Sequence, residues 1–127
     1  MKKIEEAKIL RKRALSFLKN AEENIKRKEF DLAAFHCEQA SQLILKYFLF
    51  VKVGEYPKTH SLKLLFKEVI KIFPKLNSLF IKNLTLIGDM EGAYIGARYL
   101  PFQYTNEEAK QMISFCKKLI KVLDEAL

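Results

Sequence analysis

Apolar residues recur at three- and four-residue intervals along nearly the whole chain, and β-type alternation is absent over any useful length. Only helices packed face to face bury such a pattern. The first stretch, about 2 to 28, sets Ile4, Ala7, Leu10, Ala14, Phe17, Leu18, Ala21 and Ile25 on one stripe and leaves lysines and arginines on the opposite faces. A second, about 31 to 53, has the stripe Ala33, Cys37, Ala40, Ile44, Tyr47 and Val51, with Asp31 as its predicted N-cap. From Leu43 onward it is apolar on almost every side, through Leu45, Phe48, Leu49 and Phe50. A helix of that kind lies at the centre of a bundle or is shared with another subunit.

The punctuation is equally plain. Residues 54 to 59 (GEYPKT) read as a loop, because Gly54 suits the residue after a helix end and Pro57 disfavours helical geometry at Tyr56. Thr59 or Ser61 then opens a short helix to about Phe73, with Leu62, Leu65, Phe66, Val69 and Phe73 inward. Beyond Pro74 a fourth segment, about 75 to 98, begins with Leu76, Leu79, Phe80, Leu84 and Ile87, and its second half carries Gly88, Gly92 and Gly96. A glycine costs a helix interior up to ~1 kcal/mol relative to alanine, so this half is expected to be loosened or closely approached by another helix or a ligand. Pro101 breaks the chain, and Thr105 with Glu108 forms a capping box for the last helix, about 105 to 127. Its stripe is Ala109, Met112, Ile113, Cys116, Leu119, Ile120, Leu123 and Leu127. Long helices on short loops predict one domain, 1–127, folded as an all-α, up-and-down antiparallel bundle of four main helices plus one shorter helix.

With 127 residues, half of them hydrophobic, the chain is long enough to bury a core without disulfides or a structural metal. Met1 to Arg13 is charged at every second or third position, unlike a signal peptide. The longest apolar run, Tyr47 to Val51, is far short of the ~20 residues that span a bilayer. The expectation is a soluble, cytoplasmic protein without membrane insertion. Cys37 and Cys116 fall in apolar helical stretches and read as reduced core residues. His36 and His60 lack a third patterned ligand, so neither a metal nor another cofactor is expected. The net charge of +8 is concentrated at one end, since residues 1 to 28 hold ten Lys/Arg against four Glu. Such a strip attracts nucleic acid, an acidic partner or anionic lipid, or is a solvated helix face.

The helix-to-loop junctions carry the functional signal. The second helix reads Ala34-Phe35-His36-Cys37-Glu38-Gln39-Ala40, then Lys46, and the loop closes on Thr59-His60-Ser61-Leu62 followed by Leu65. The fourth segment ends Tyr94-Ile95-Gly96-Ala97-Arg98-Tyr99-Leu100-Pro101. In order and spacing these resemble the HEPN domain family, over about residues 5 to 123. The resemblance implies a helical nucleotide- or RNA-binding domain, often paired with a minimal nucleotidyltransferase as toxin and antitoxin. It also implies that active members are dimeric ribonucleases in which an Arg-x4-6-His motif from each subunit meets in one cleft.

The chain departs from that motif. Gln103, Tyr104 and Thr105 stand where the histidine is expected, and no histidine follows Arg98. The imidazole that moves the 2′-hydroxyl proton is therefore missing, and a tyrosine, with its ordinary pKa of ~10, is a poor substitute base. Arg98 retains a binding role: its guanidinium can grip a phosphate by two hydrogen bonds while Tyr94, Tyr99 or Tyr104 stacks on a base or orders a ribose. The bland counterpart is an Arg98 paired with Asp89 or Glu91 among packing tyrosines. His60, at a helix start, either satisfies loop carbonyls or joins the site. Lys46 either snorkels to solvent or faces the same cleft, and Gln39, seven residues earlier, shares its helix face. The predicted nucleotide-binding set is Gln39, Lys46, His60, Tyr94, Arg98, Tyr99 and Tyr104, in a homodimeric subunit acting with a nucleotidyltransferase. Two other readings compete: a ribonuclease using Arg98, Tyr104 and His60, and a non-catalytic module docking through the basic first helix.

Overall fold

The computed structural model describes the backbone of residues 2–99 and 103–127 and the side chains of 4–96 and 103–127. Its elements, in order, are α1 (Lys2–Lys26), α2 (Phe30–Val53), α3 (Leu62–Ile72), α4 (Leu76–Lys82), α5 (Leu84–Tyr99) and α6 (Asn106–Glu125). The chain is all-α, as its periodicity predicts.

Local chemistry sets most boundaries. Gly54 takes the left-handed conformation (φ 83°) that ends α2. Ser61, the second of the two predicted openers, caps α3 by accepting from the Leu64 amide at 3.2 Å. Thr105 and Glu108 close the predicted capping box on α6, at 3.1 and 2.8 Å. The predicted cap Asp31 is a correction, because the N-cap of α2 is Glu29 and Asp31 lies inside the first turn. The reason is the tight α1–α2 connection. Lys28 turns left-handed (φ 60°), and the Glu29 amide bonds back to the Asn24 carbonyl at 2.8 Å. The Glu29 carboxylate meanwhile accepts from the Asn24 side chain at 2.9 Å rather than capping its own helix. Asp31 still lies where the helix dipole favours a negative charge.

A second correction concerns the segment expected at 75–98, which divides at Asn83 into α4 and α5. The Asn83 side-chain amide donates to the Leu79 carbonyl at 2.9 Å and so competes with the helical backbone bond, while its backbone N–H turns to the Phe80 carbonyl at 3.2 Å. The glycines do not break the helix, since α5 runs through Gly88, Gly92 and Gly96. A methyl group at Gly92 would meet the Tyr104 hydroxyl at an ordinary 3.6 Å.

The helix α2 packs against α1, α3, α5 and α6. Its greasy half buries Ile44, Leu45, Phe48 and Leu49 within this one chain, and of its apolar residues only Val51 and Val53 are exposed, at its end. The core position therefore accounts for most of the apolar surface that the sequence left open to a second subunit. Pairings fix directions. His36 meets Phe17 while Tyr47 lies by Arg11, so α1 and α2 are antiparallel. Arg11 binds Asp124 and Glu22 binds Lys117, so α1 and α6 are antiparallel too. Phe35 faces Tyr94, and Glu38 lies in the field of Glu91, which makes α5 antiparallel to α2. The exception is α3. The loop of residues 54–61 runs back along α2, with Tyr56 against Phe50 and the His60 carbonyl at Gln42, so α3 starts beside the middle of α2 and runs parallel to it. Beneath, Phe66 stacks on Phe80 (5.1 Å between centroids) and tilts against Phe115 (6.1 Å). Each fully buried ring of this kind contributes about 1.5–3 kcal/mol by its removal from water.

Candidate functional site

That returning loop creates the site, by closing over a polar stretch of α2. Glu38 has no exposed surface, and among the described residues no cation stands within ion-pair distance of it. Its oxygens accept from two neighbouring amides, Gln39 Nε2 at 2.8 Å and Gln42 Nε2 at 2.5 Å. Burial pushes its pKa up to about 7, against the lowering effect of those two hydrogen bonds; Glu91 raises it further, and Lys46 lowers it.

Gln42 also fixes the loop, because the same nitrogen donates to the His60 carbonyl at 3.1 Å. One amide thus bridges a buried acid and the end of the returning loop. With its backbone held, His60 presents an exposed ring that stacks on Tyr94 of α5, with centroids 5.3 Å apart and planes 21° apart. Tyr94 in turn stacks against Phe35 at 6.4 Å, Phe35 lies 5.5 Å from His36, and His36 lies 5.7 Å from Phe17. Five rings therefore follow one another across α1, α2, α5 and the loop. His36 is anchored through Nδ1 to Asn24 Oδ1 at 2.6 Å, and burial lowers its pKa, with Glu29 opposing. Since Asn24 Nδ2 is committed to Glu29, its oxygen accepts, and His36 Nδ1 carries the proton.

Lys46 is half-buried one helical turn beyond Gln42, its Nζ 5.6 Å from the Tyr56 ring centre. Burial lowers its pKa and the field of Glu38 raises it. Its ammonium lies over a ring face and in the field of a buried acid, and it is the cation next to this polar stretch of α2.

Of the predicted residues, Gln39, Lys46, His60 and Tyr94 gather around Glu38 and the loop. Tyr104 lies apart, with its hydroxyl donating to the Asp89 carbonyl at 2.9 Å beside Gly92. Its pKa is raised by burial and by Asp89 and Glu108. The side chains of Arg98 and Tyr99 lie outside the described residues, although the α5 backbone carries position 98 one turn beyond Tyr94. Glu38, Gln42 and Phe35 were not predicted as site residues. The available signal was that Glu38 and Gln42 stand one turn apart among Cys37, Ser41 and Leu45, on the buried side of α2. Among the described residues no three His, Cys, Asp or Glu side chains are grouped to hold a metal ion, and no helix is long and apolar enough to cross a membrane.

Compared with known families, the chain matches the HEPN domain over residues 7–126, nearly its whole length. It belongs to the HEPN domain family, a membership that supports a nucleotide- or RNA-related function. No curated protein matches the chain.

Proposed function

We propose that this chain is a nucleotide- or RNA-binding subunit, homodimeric and cytoplasmic, that works with a minimal nucleotidyltransferase as a toxin–antitoxin-like pair. The observation that carries the binding role is the His60–Tyr94 stack, seated on the Gln42 bridge, with Lys46 one turn beyond Gln42 on α2. An exposed ring over a held partner offers a base a stacking surface, and the half-buried ammonium offers a phosphate its counter-charge. Arg98, whose backbone lies one turn past that of Tyr94, is assigned the bidentate phosphate grip, and Gln39 and Tyr99 complete the proposed set. Tyr104 contributes less directly, because its hydroxyl proton is already committed to Asp89. Most of the pair's chemistry falls to the partner, since the Arg-x4-6-His motif is incomplete here.

Isothermal titration of ATP, GTP and short RNAs tests the site. Loss of one stacked ring costs about 1–3 kcal/mol and loss of a charge-assisted phosphate contact about 1.5–3 kcal/mol, so His60→Ala and Arg98→Ala are each expected to weaken binding by about fivefold to a hundredfold. Equal heats for wild type and both variants would remove the assigned site. Sedimentation at micromolar concentration tests the dimer, where a clean monomer refutes it.

A second reading is favoured by one specific contact. His60 brings an imidazole from the loop onto Tyr94, close along α5 to position 98. A metal-independent ribonuclease would then use His60 for the proton transfer that its motif position no longer supplies, with Arg98 steadying the phosphate. RNA cleavage by the purified chain, abolished by His60→Ala and by Arg98→Ala, is the expected outcome; products that persist in both variants refute it.

A further inference from the structure

The ring site uses none of the charge that dominates α1. The exposed Lys8, Lys12 and Lys19, with Arg11 and Ser16, line a groove of about 410 Å³ against Tyr47 of α2. Most of a lysine-rich helix face is convex and solvated; this part is concave, with an aromatic wall. Arg11 is not a loose surface cation. Its Nε and a terminal nitrogen grip Asp124 of α6 at 3.2 and 2.7 Å, which fixes the guanidinium at the groove wall. Asp124 offsets one charge, and the three lysines remain around the groove.

We propose that this groove is a binding site for a single-stranded nucleic-acid backbone, separate from the ring site. Lys8 and Lys19 are eleven residues apart on one helix, a separation of roughly 16 Å along its axis. That length accommodates about five phosphates at the ~3.4 Å spacing of a stacked strand. Cations repeated along a line suit a repeating anion better than a single compact phosphate. A planar lipid surface does not enter a concave groove, whereas a strand does, and Tyr47 gives one base a ring to rest on. The five-ring series across α1, α2, α5 and the loop is then one contact of a longer path and the α1 groove another.

The two contacts separate by salt dependence. Binding of a labelled oligouridylate to the full chain is measured over a series of salt concentrations. Each phosphate contact removed from a single strand reduces the slope of log K against log salt by about 0.7. A Lys12→Ala, Lys19→Ala double variant is therefore expected to lose about 1.4 of that slope, whereas His60→Ala weakens binding at every salt concentration with the slope kept. Lys110→Ala with Lys118→Ala removes two exposed cations from α6 and is the control for net charge. The proposal is overturned if the control lowers the slope as much as the groove variant, or if the groove variant leaves it unchanged. It is equally overturned if the chain binds phosphatidylserine vesicles through these lysines and no oligonucleotide. All four lysines are exposed, and matching thermal melts identify variants that remain folded.

Discussion

The helix α2 buries polar groups along two seams, and they are built to opposite ends. Toward α6, Ser41 Oγ and Cys116 Sγ both approach the Cys37 carbonyl, at 2.9 and 3.3 Å, and each other at 3.2 Å. All three residues are buried. The Cys37 thiol is pushed upward by its hydrogen bond to Cys116 and by burial, so no charge arises there. Toward α5 and the loop, Glu38 is equally buried, yet it is a carboxyl poised between its two protonation states and leads outward through Gln42 to an exposed ring. A seam built only to pack closes on small, uncharged, mutually satisfied groups. One that ties a buried acid without an ion-pair partner to a surface loop accepts a desolvation cost that packing alone does not explain.

Cutting each seam at one residue should expose the difference. Gln42→Ala removes a donor from Glu38 and leaves the His60 carbonyl without that partner. Unsatisfied groups cost about 1–3 kcal/mol each, so a loss of roughly 2–4 kcal/mol is expected in the urea midpoint, with a similar m-value. Nucleotide binding should weaken with it, because the loop end is no longer held. A cost no larger than that of a cut in the α6 seam would erase the distinction.

The acid itself gives a pH signature. A carboxyl whose folded pKa is raised from the ordinary 4.5 to about 7 holds its proton more tightly in the folded state. Its contribution is therefore most favourable below about pH 4.5 and is lost as pH rises through about 7. The penalty at higher pH is on the order of 3 kcal/mol. Glu38→Gln mimics the protonated form in shape and charge; the Gln39 amide turns over to receive its new donor, since Gln42 is held by the loop. The variant is expected to be more stable than wild type by about 1–3 kcal/mol near pH 8 and nearly equal to it near pH 5. A stability difference that is flat across this range would show that Glu38 does not titrate in the fold.

Much of this was legible in the residues, because helices are written locally. The stripes, Gly54, the Thr105–Glu108 box and the end of α3 at Phe73 each depend on neighbours a few positions away. What was not legible depends on the path of the chain. Nothing local says that residues 54–61 run back along α2, and without that return His60 has no reason to meet Gln42 or Tyr94. Glu38 was passed over because a glutamate in a helix is ordinarily solvated, and its burial becomes visible only once the loop and α5 close over it. Asp31 failed as a cap for a similar reason, since the Asn24–Glu29 pair settles the junction from the preceding helix. The glycine spacing signalled a loosened or closely approached helix, but α5 runs through all three glycines, a methyl group added at Gly92 would meet Tyr104 at ordinary contact distance, and the segment divides at Asn83.

The α6 seam supplies the smallest effect and the closing test of the comparison. Ser41→Ala removes one hydroxyl, yet the Cys37 carbonyl keeps Cys116 as a donor and its place in the helix, so no buried group is stranded. The expected loss is below about 1 kcal/mol, the range for a hydrogen bond whose partner remains satisfied, and nucleotide binding should be unaffected. The raised pKa of Cys37 has a matching consequence: its thiolate is scarce, and alkylation by iodoacetamide should proceed only as fast as the protein opens. Rapid labelling of Cys37 in the native protein, or a Ser41→Ala variant that lost binding as Gln42→Ala is expected to, would mean that both seams serve the site.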